Sequence, residues 1–117
     1  MATVPLPGTK TRYLSKKADD GDTFCFDFSD EAVLDAGGTL TSPDVTADPT
    51  GTLVVGSPVV LAADFTDTDG TIVPEDKGVK VRIQPGTATP GTKYLLTCVV
   101  TLDGNEKVRH GWVMVTS

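Results

Sequence analysis

The 117-residue chain has a single histidine, two cysteines and one tryptophan. One imidazole, with no glycine-rich phosphate loop, no nucleophile elbow and no Cys-x-x-Cys pair, leaves little with which to build an active site. The expectation is a protein that is not an enzyme and takes no cofactor. Cys25, Cys98 and His110 fall short of the four ligands of a zinc site, so no metal is expected there. Basic residues are also in deficit, 10 against 16 acidic ones, and a body this acidic is unsuited to nucleic acid, whose phosphates require a basic face. Long apolar runs are missing too. No stretch approaches the roughly 20 residues that cross a bilayer, and the first ten residues lack the apolar centre of a signal peptide. The chain is expected to be soluble, without membrane contact, and made in the cytoplasm.

What is present is β chemistry. The chain holds 18 threonines and 15 valines, β-branched types whose stiff side chains suit a pleated sheet. Its 12 glycines and 8 prolines supply turns rather than helices. A chain of this length normally folds as one domain. Short apolar runs bounded by turn residues predict strands over 22–28, 39–41, 52–55, 59–65, 79–84, 93–102 and 107–115. Val79, Val81 and Ile83 alternate with Lys80, Arg82 and Gln84, the pattern of a strand with one wet face. Asp103-Gly104-Asn105 reads as a hairpin turn. Ser29, followed by Asp30 and Glu31, reads as the N-cap of a short helical turn that Gly37-Gly38 ends.

Charge divides the chain unevenly. Lys10, Arg12, Lys16 and Lys17 fall in the first 17 residues, which contain no acid, while the other six basic groups share the rest of the chain with all sixteen acids. Residues 1–20 read as an extended arm, since Pro5 and Pro7 favour extended geometry and Val4, Leu6, Tyr13 and Leu14 have no helical spacing. The domain division is thus an arm over 1–20 and a β body over 21–117. The arm reads either as a solvated basic tail, as a dock for an acidic protein surface, or as a polyanion contact. If it attaches to a partner, Leu6, Lys10, Arg12, Tyr13, Leu14, Lys16 and Lys17 are its contact residues.

Strand parity sorts the remaining candidates. Phe24, Phe26 and Phe28 share one face, which turns Cys25 the other way, whereas Tyr94, Leu96, Cys98 and Val100 form a core row. Both cysteines are expected to be free thiols. The last two strands are apolar on both faces: Leu95, Val99 and Thr101 oppose the Tyr94 row, and Trp112 and Met114 oppose Val113 and Val115. The second face is either an oligomer or docking contact made by Trp112 and Met114, or a few tolerated surface hydrophobes. A bulge after the hairpin would reverse the assignment. His110 is expected at a surface or rim. Asp64, Asp67, Asp69 and Glu75-Asp76 around Gly70 only partly match a calcium loop and read as a solvated acidic turn.

From Phe26 onward the order of elements resembles the small immunoglobulin-like proteins of tailed bacteriophages, which serve as virion decoration, cement, head-fibre or neck modules. The resemblance rests on Asp27-Phe28-Ser29 with Leu34, on Gly38-Thr39-Leu40-Thr41-Ser42 with Val45, and on Val79 to Ile83 running through Pro85-Gly86-Thr87 and Gly91-Thr92-Lys93 into Tyr94. Val99-Val100-Thr101 and Asp103-Gly104 complete it. This chain departs from the pattern in an inserted Thr89-Pro90 and in Phe28, where the family usually has tryptophan.

The resemblance implies an all-β, immunoglobulin-like β-sandwich with an extended N-terminal arm. It implies a structural virion protein, a capsid decoration or cement protein on the outer capsid surface. The implied partner is the major capsid protein or another virion protein, and the implied state is a homo-oligomer, with a trimer favoured because icosahedral shells offer many threefold sites. The other roles it leaves open are a neck, tail or head-fibre accessory module, or a displayed carbohydrate-binding or adhesion domain, which one tryptophan and two tyrosines supply poorly with aromatics.

Overall fold

The computed structural model describes residues 11–17, 21–48, 51–66 and 70–117. Ten strands and one helical turn follow in the order β1 (Thr11–Ser15), β2 (Asp22–Asp27), α1 (Ala32–Asp35), β3 (Leu40–Asp48), β4 (Val54–Val55), β5 (Val59–Val60), β6 (Phe65–Thr66), β7 (Ile72–Val73), β8 (Gly78–Gln84), β9 (Lys93–Leu102) and β10 (Asn105–Thr116). The protein is all-β. One four-stranded sheet has the order β1-β10-β9-β3, a second runs β2-β8-β4 with β5 also on β8, and β6 pairs with β7 in a small ribbon.

The two large sheets face each other across one core. Leu14, Val113, Val115, Tyr94, Leu96, Cys98 and Val100 from the first sheet meet Phe24, Phe26, Val79, Val81 and Ile83 from the second, all of them buried. Burying a Val, Leu, Ile or Phe side chain of this kind contributes roughly 1.5–3 kcal/mol, so this layer dominates stability. Strands β8 and β9 match their sequence pattern. In β8, Val79, Val81 and Ile83 are buried while Lys80 and Arg82 are exposed, and β9 occupies the predicted residues, 93–102. The β9–β10 hairpin turns on Asp103 and Gly104, both at positive φ (48° and 82°). That is the mirror-image turn whose twist suits two antiparallel strands.

The structure corrects the sequence reading at its start. Thr11–Ser15 is not part of a free arm: it is an edge strand, paired in parallel with β10 from Thr11 opposite Trp112 to Ser15 opposite Thr116. The body therefore begins at or before residue 11, and the boundary at residue 20 does not hold. Local reading misses β1 because its partner is about a hundred residues away and its inward row carries polar Arg12 beside Leu14.

Two smaller differences have local causes. Strand β3 runs past residue 41 because Ser42, at a φ of 52°, makes an irregularity between Thr41 and Asp44 that accommodates Pro43 on an edge strand. The helical turn starts after Glu31 rather than Ser29, and its first residue has no side-chain cap. The Ser29 amide donates instead to the Asp27 carboxylate at 2.8 Å.

The connection from β8 to β9 requires glycine at one point. Gly86 has a φ of 54°, and a Cβ there would lie 2.3 Å from the Thr52 carbonyl oxygen. Tyr94 then enters the core, 2% exposed, with its hydroxyl 2.5 Å from Thr52 Oγ1.

Candidate interaction surface

Parity on the first sheet directs Val113 and Val115 inward, at 1% and 0% exposure, and sends Trp112 and Met114 to the opposite face. No bulge interrupts β10, whose pairing with β9 is continuous from Asn105 to Met114. Strand β1 adds Tyr13 to the same outer face, directly beside Met114 and 68% exposed. Across the sheet Trp112 lies opposite Leu95, and Val108 opposite Val99. The result is an apolar stripe of Tyr13, Met114, Trp112 and Leu95 across three strands, separated from Val108 and Val99 by the outward pair His110 and Thr97. Asp44 and Asp48, both exposed, edge this face on β3 beside Val99 and Leu95. The Lys93 ammonium stands 4.7 Å from the centre of the Trp112 ring, so the indole is half-buried under a cation.

The candidate arm residues do not act as a group. Leu6 and Lys10 lie outside the described residues. Leu14 is buried at 1% between the sheets and cannot meet a partner, which corrects its assignment as a contact. Arg12 shares Leu14's inward parity and is half-buried. The Lys16 ammonium donates to the Gly86 carbonyl at 2.6 Å, which ties the end of β1 to the β8–β9 connection. Lys17 and Tyr13 are exposed. Tyr13 is thus the one described arm residue that joins Trp112 and Met114, and it does so through strand pairing rather than as part of a tail.

A second cluster clamps the opposite end of β10. Arg109 reaches inward over the Phe28 ring at 4.8 Å and holds the carboxylates of Asp30 and Glu31 at 2.8 and 2.7 Å, while Lys107 stands 3.6 Å from Glu31. Burial pulls the guanidinium's pKa down, but hydrogen bonds to Glu31 and Asp30 more than offset it and leave the pKa above its ordinary value. The clamp joins the first sheet to the turn around α1, and its carboxylates are committed to that structural contact.

The remaining reagents are quiet. His110 is half-buried on the outer face of β10, with Nδ1 3.2 Å from Thr97 Oγ1. Neither cysteine forms a disulfide, Cys98 being fully buried and Cys25 half-buried, as parity requires. Burial, then the negative charge of Asp44, pushes the Cys98 thiol up to about 12. Residues 67–69 of the acidic turn lie outside the described residues; among the described residues no group of His, Cys, Asp and Glu is placed to hold a metal ion. A cleft of about 50 Å³ opens between β2 and β10, the facing edge regions of the two sheets, with Phe24, Phe26, Asp27, Arg12 and Gly111 in its walls.

No protein-family model, no curated protein and no solved structure matches the chain.

Proposed function

We propose that the protein is a structural component of a tailed-phage virion, a capsid decoration or cement protein with an immunoglobulin-like body, that docks through the outer face of its first sheet. The observation that carries this reading is the apolar stripe of Tyr13, Met114, Trp112 and Leu95, with Val108 and Val99 beyond His110 and Thr97, on a sheet whose other face is the core. Large side chains held on a rigid sheet lose little freedom on binding, and tyrosine and tryptophan are frequent anchors of protein interfaces. The resemblance over Phe26 to Gly104 supplies the virion setting. Attachment passes from a free arm to this face, because β1 is committed to the sheet. The partner is the major capsid protein or another virion protein, and the stripe also serves contacts between copies in a trimer.

The test combines imaging and occupancy. Purified protein is added to undecorated heads, and the particles are examined with the protein labelled. Regular density on the outer shell, with occupancy reduced about tenfold or more by the pair Tyr13→Ser and Trp112→Ser at unchanged circular dichroism, is the expected result. Label confined to the neck or fibres would replace cement by the accessory role. Wild-type occupancy of the double variant would remove the stripe from the contact.

A further inference from the structure

The acids around the first sheet fall into two groups. Asp30 and Glu31, in the turn before α1, are neutralised by Arg109 and Lys107. Asp44 and Asp48 on β3 and Glu106 on β10 are exposed and point outward by strand parity, in register with Val99, Leu95 and Thr101. Among the described residues no ion pair neutralises these three. We propose, on the docking role assigned to this face above, that its occupant is a basic protein surface. Arginine or lysine side chains of that partner meet Asp44 and Asp48 while its apolar residues cover Leu95, Trp112, Met114 and Tyr13.

The register places these carboxylates where a partner must pass. Asp48 lies opposite Leu95 and Asp44 opposite Val99, so each borders an apolar side chain of β9. Four residues of β3 separate the two, roughly 13 Å at about 3.3 Å per residue. A cation seated beside Asp48 is carried next to Leu95 and, one strand further, Trp112. Covering those side chains removes water and so strengthens the charge pair at their edge. Lys93 does not take this part. Its ammonium stands 4.7 Å from the centre of the Trp112 ring, on the β10 side, and makes no ion pair with Asp48.

Charge also selects against a second copy laid face to face. Among the described residues, the outward positions of β1, β10, β9 and β3 carry Asp44, Asp48 and Glu106, and Lys93 is the one lysine or arginine there. A twofold pairing of this face repeats the same signs on both sides, so acids meet a surface with the same excess. The sign is the reverse of the one the N-terminal segment suggests. A cluster of Lys10, Arg12, Lys16 and Lys17 would fit an acidic partner, but Arg12 shares the inward parity of buried Leu14 and Lys16 is tied to the Gly86 carbonyl. The acids, by contrast, lie on the face that carries the apolar anchors.

Salt and charge reversal test the sign of the partner surface. Binding to undecorated heads is measured at about 50 and about 300 mM NaCl, salt levels between which surface charges become screened. The proteins compared are the wild type, Asp44→Lys with Asp48→Lys, and Asp22→Lys with Glu75→Lys, two exposed acids away from the face whose reversal changes net charge equally. Wild-type affinity should fall about tenfold or more at the higher salt and by a similar factor in the first variant, with the second near wild type. Docking indifferent to salt and to the reversal, yet lost with Tyr13→Ser and Trp112→Ser, would overturn the basic partner and leave the docking face standing. Equal losses in the two charge variants would make the effect one of net charge and overturn it too. So would self-association in sedimentation velocity that the reversal abolishes, since the basic surface would then belong to a second copy. If the heads bind none, the virion role falls and a second probe decides the chemistry. This is a synthetic peptide of arginine, leucine and threonine, its arginines four residues apart, set against its glutamate counterpart and read by the fluorescence of Trp112, the only tryptophan. The wild type should bind the arginine peptide about tenfold more tightly, and Asp44→Lys with Asp48→Lys should invert the preference. No preference, or one that the reversal leaves unchanged, would overturn the inference.

Discussion

The outer faces of the two sheets differ although their inner faces are alike. On the second sheet the outward positions include Lys80 and Arg82, with Cys25 and Thr23 as their cross-strand partners. The second sheet also exposes Val59 beside Lys80 and Val54 beside Gln84. On the first sheet the outward positions bring the larger Tyr13, Trp112, Met114 and Leu95, with Val99 and Val108, among polar Thr97 and His110. Inward valine, leucine and phenylalanine secure the fold in both. The outward rows therefore differ in kind: isolated valines among charged and polar groups on one sheet, aromatic and long apolar side chains brought together on the other. A change on an inward row should cost stability, and a change on the outward row of the first sheet should cost association.

The sharpest way to break this contrast is a charge in the core. Val115→Asp places a carboxylate at a site with no exposure, at a cost of several kcal/mol against a total stability of roughly 5–15. Circular dichroism should show an unfolded chain. Lys80→Asp, on the wet face, should change the unfolding free energy by no more than about 0.5 kcal/mol in a urea titration. Next in size is Leu14→Ala, expected to lose about 2–5 kcal/mol in a denaturant titration. Its neighbour Tyr13→Ser, pointing the other way, should lose less than about 1 kcal/mol. If the two cost the same, β1 is not an inward-facing strand.

How far the sequence reveals this arrangement depends on the range of each signal. Strands β8 and β9 and the Asp103-Gly104 hairpin are legible because alternation and turn chemistry are local, and the opposed faces of Val113 and Trp112 follow from parity alone. The partnership of Tyr13 with Met114 is not legible. It needs a parallel pairing between residues about a hundred positions apart, for which local pattern holds no term. Leu14 reads as a partner contact for the same reason: an apolar residue among basic ones looks like an anchor until its strand is placed. The extension of β3 escaped because Ser42-Pro43 reads as a stop, whereas an edge strand absorbs it through an irregularity.

A subtler comparison sets Cys98 against Cys25. The folded Cys98 thiol holds its proton to about 12, against an ordinary value of 9.0. A group whose pKa is raised on folding contributes stability that is intact below the unfolded value and is lost as pH rises through the folded one. Stability should therefore fall between pH 9 and 12 on this account, and Cys98→Val should flatten that part of the curve. At pH 8 a thiol reagent should label Cys25 and spare Cys98 until the protein is unfolded. Trp112→Ser should stay within about 1 kcal/mol of wild type by urea titration. Sedimentation velocity should nonetheless show weaker self-association. A variant that unfolds would make the indole part of the core and end the contrast between the two faces.

The parallel pairing of β1 with β10 also orders events in time. Synthesis delivers Leu14 and its strand early, but the edge that receives them is made about a hundred residues later. Until then the strand that carries Leu14 has no sheet to join. The β9–β10 hairpin, closed by a two-residue turn, can form on its own short loop, whereas docking of β1 must wait and must pay the entropy of closing nearly the whole chain. The last native contact to form is thus predicted to be the one that seals Leu14 into the core. A nascent chain arrested before Trp112 should remain open to proteolysis at its start, however complete its middle has become.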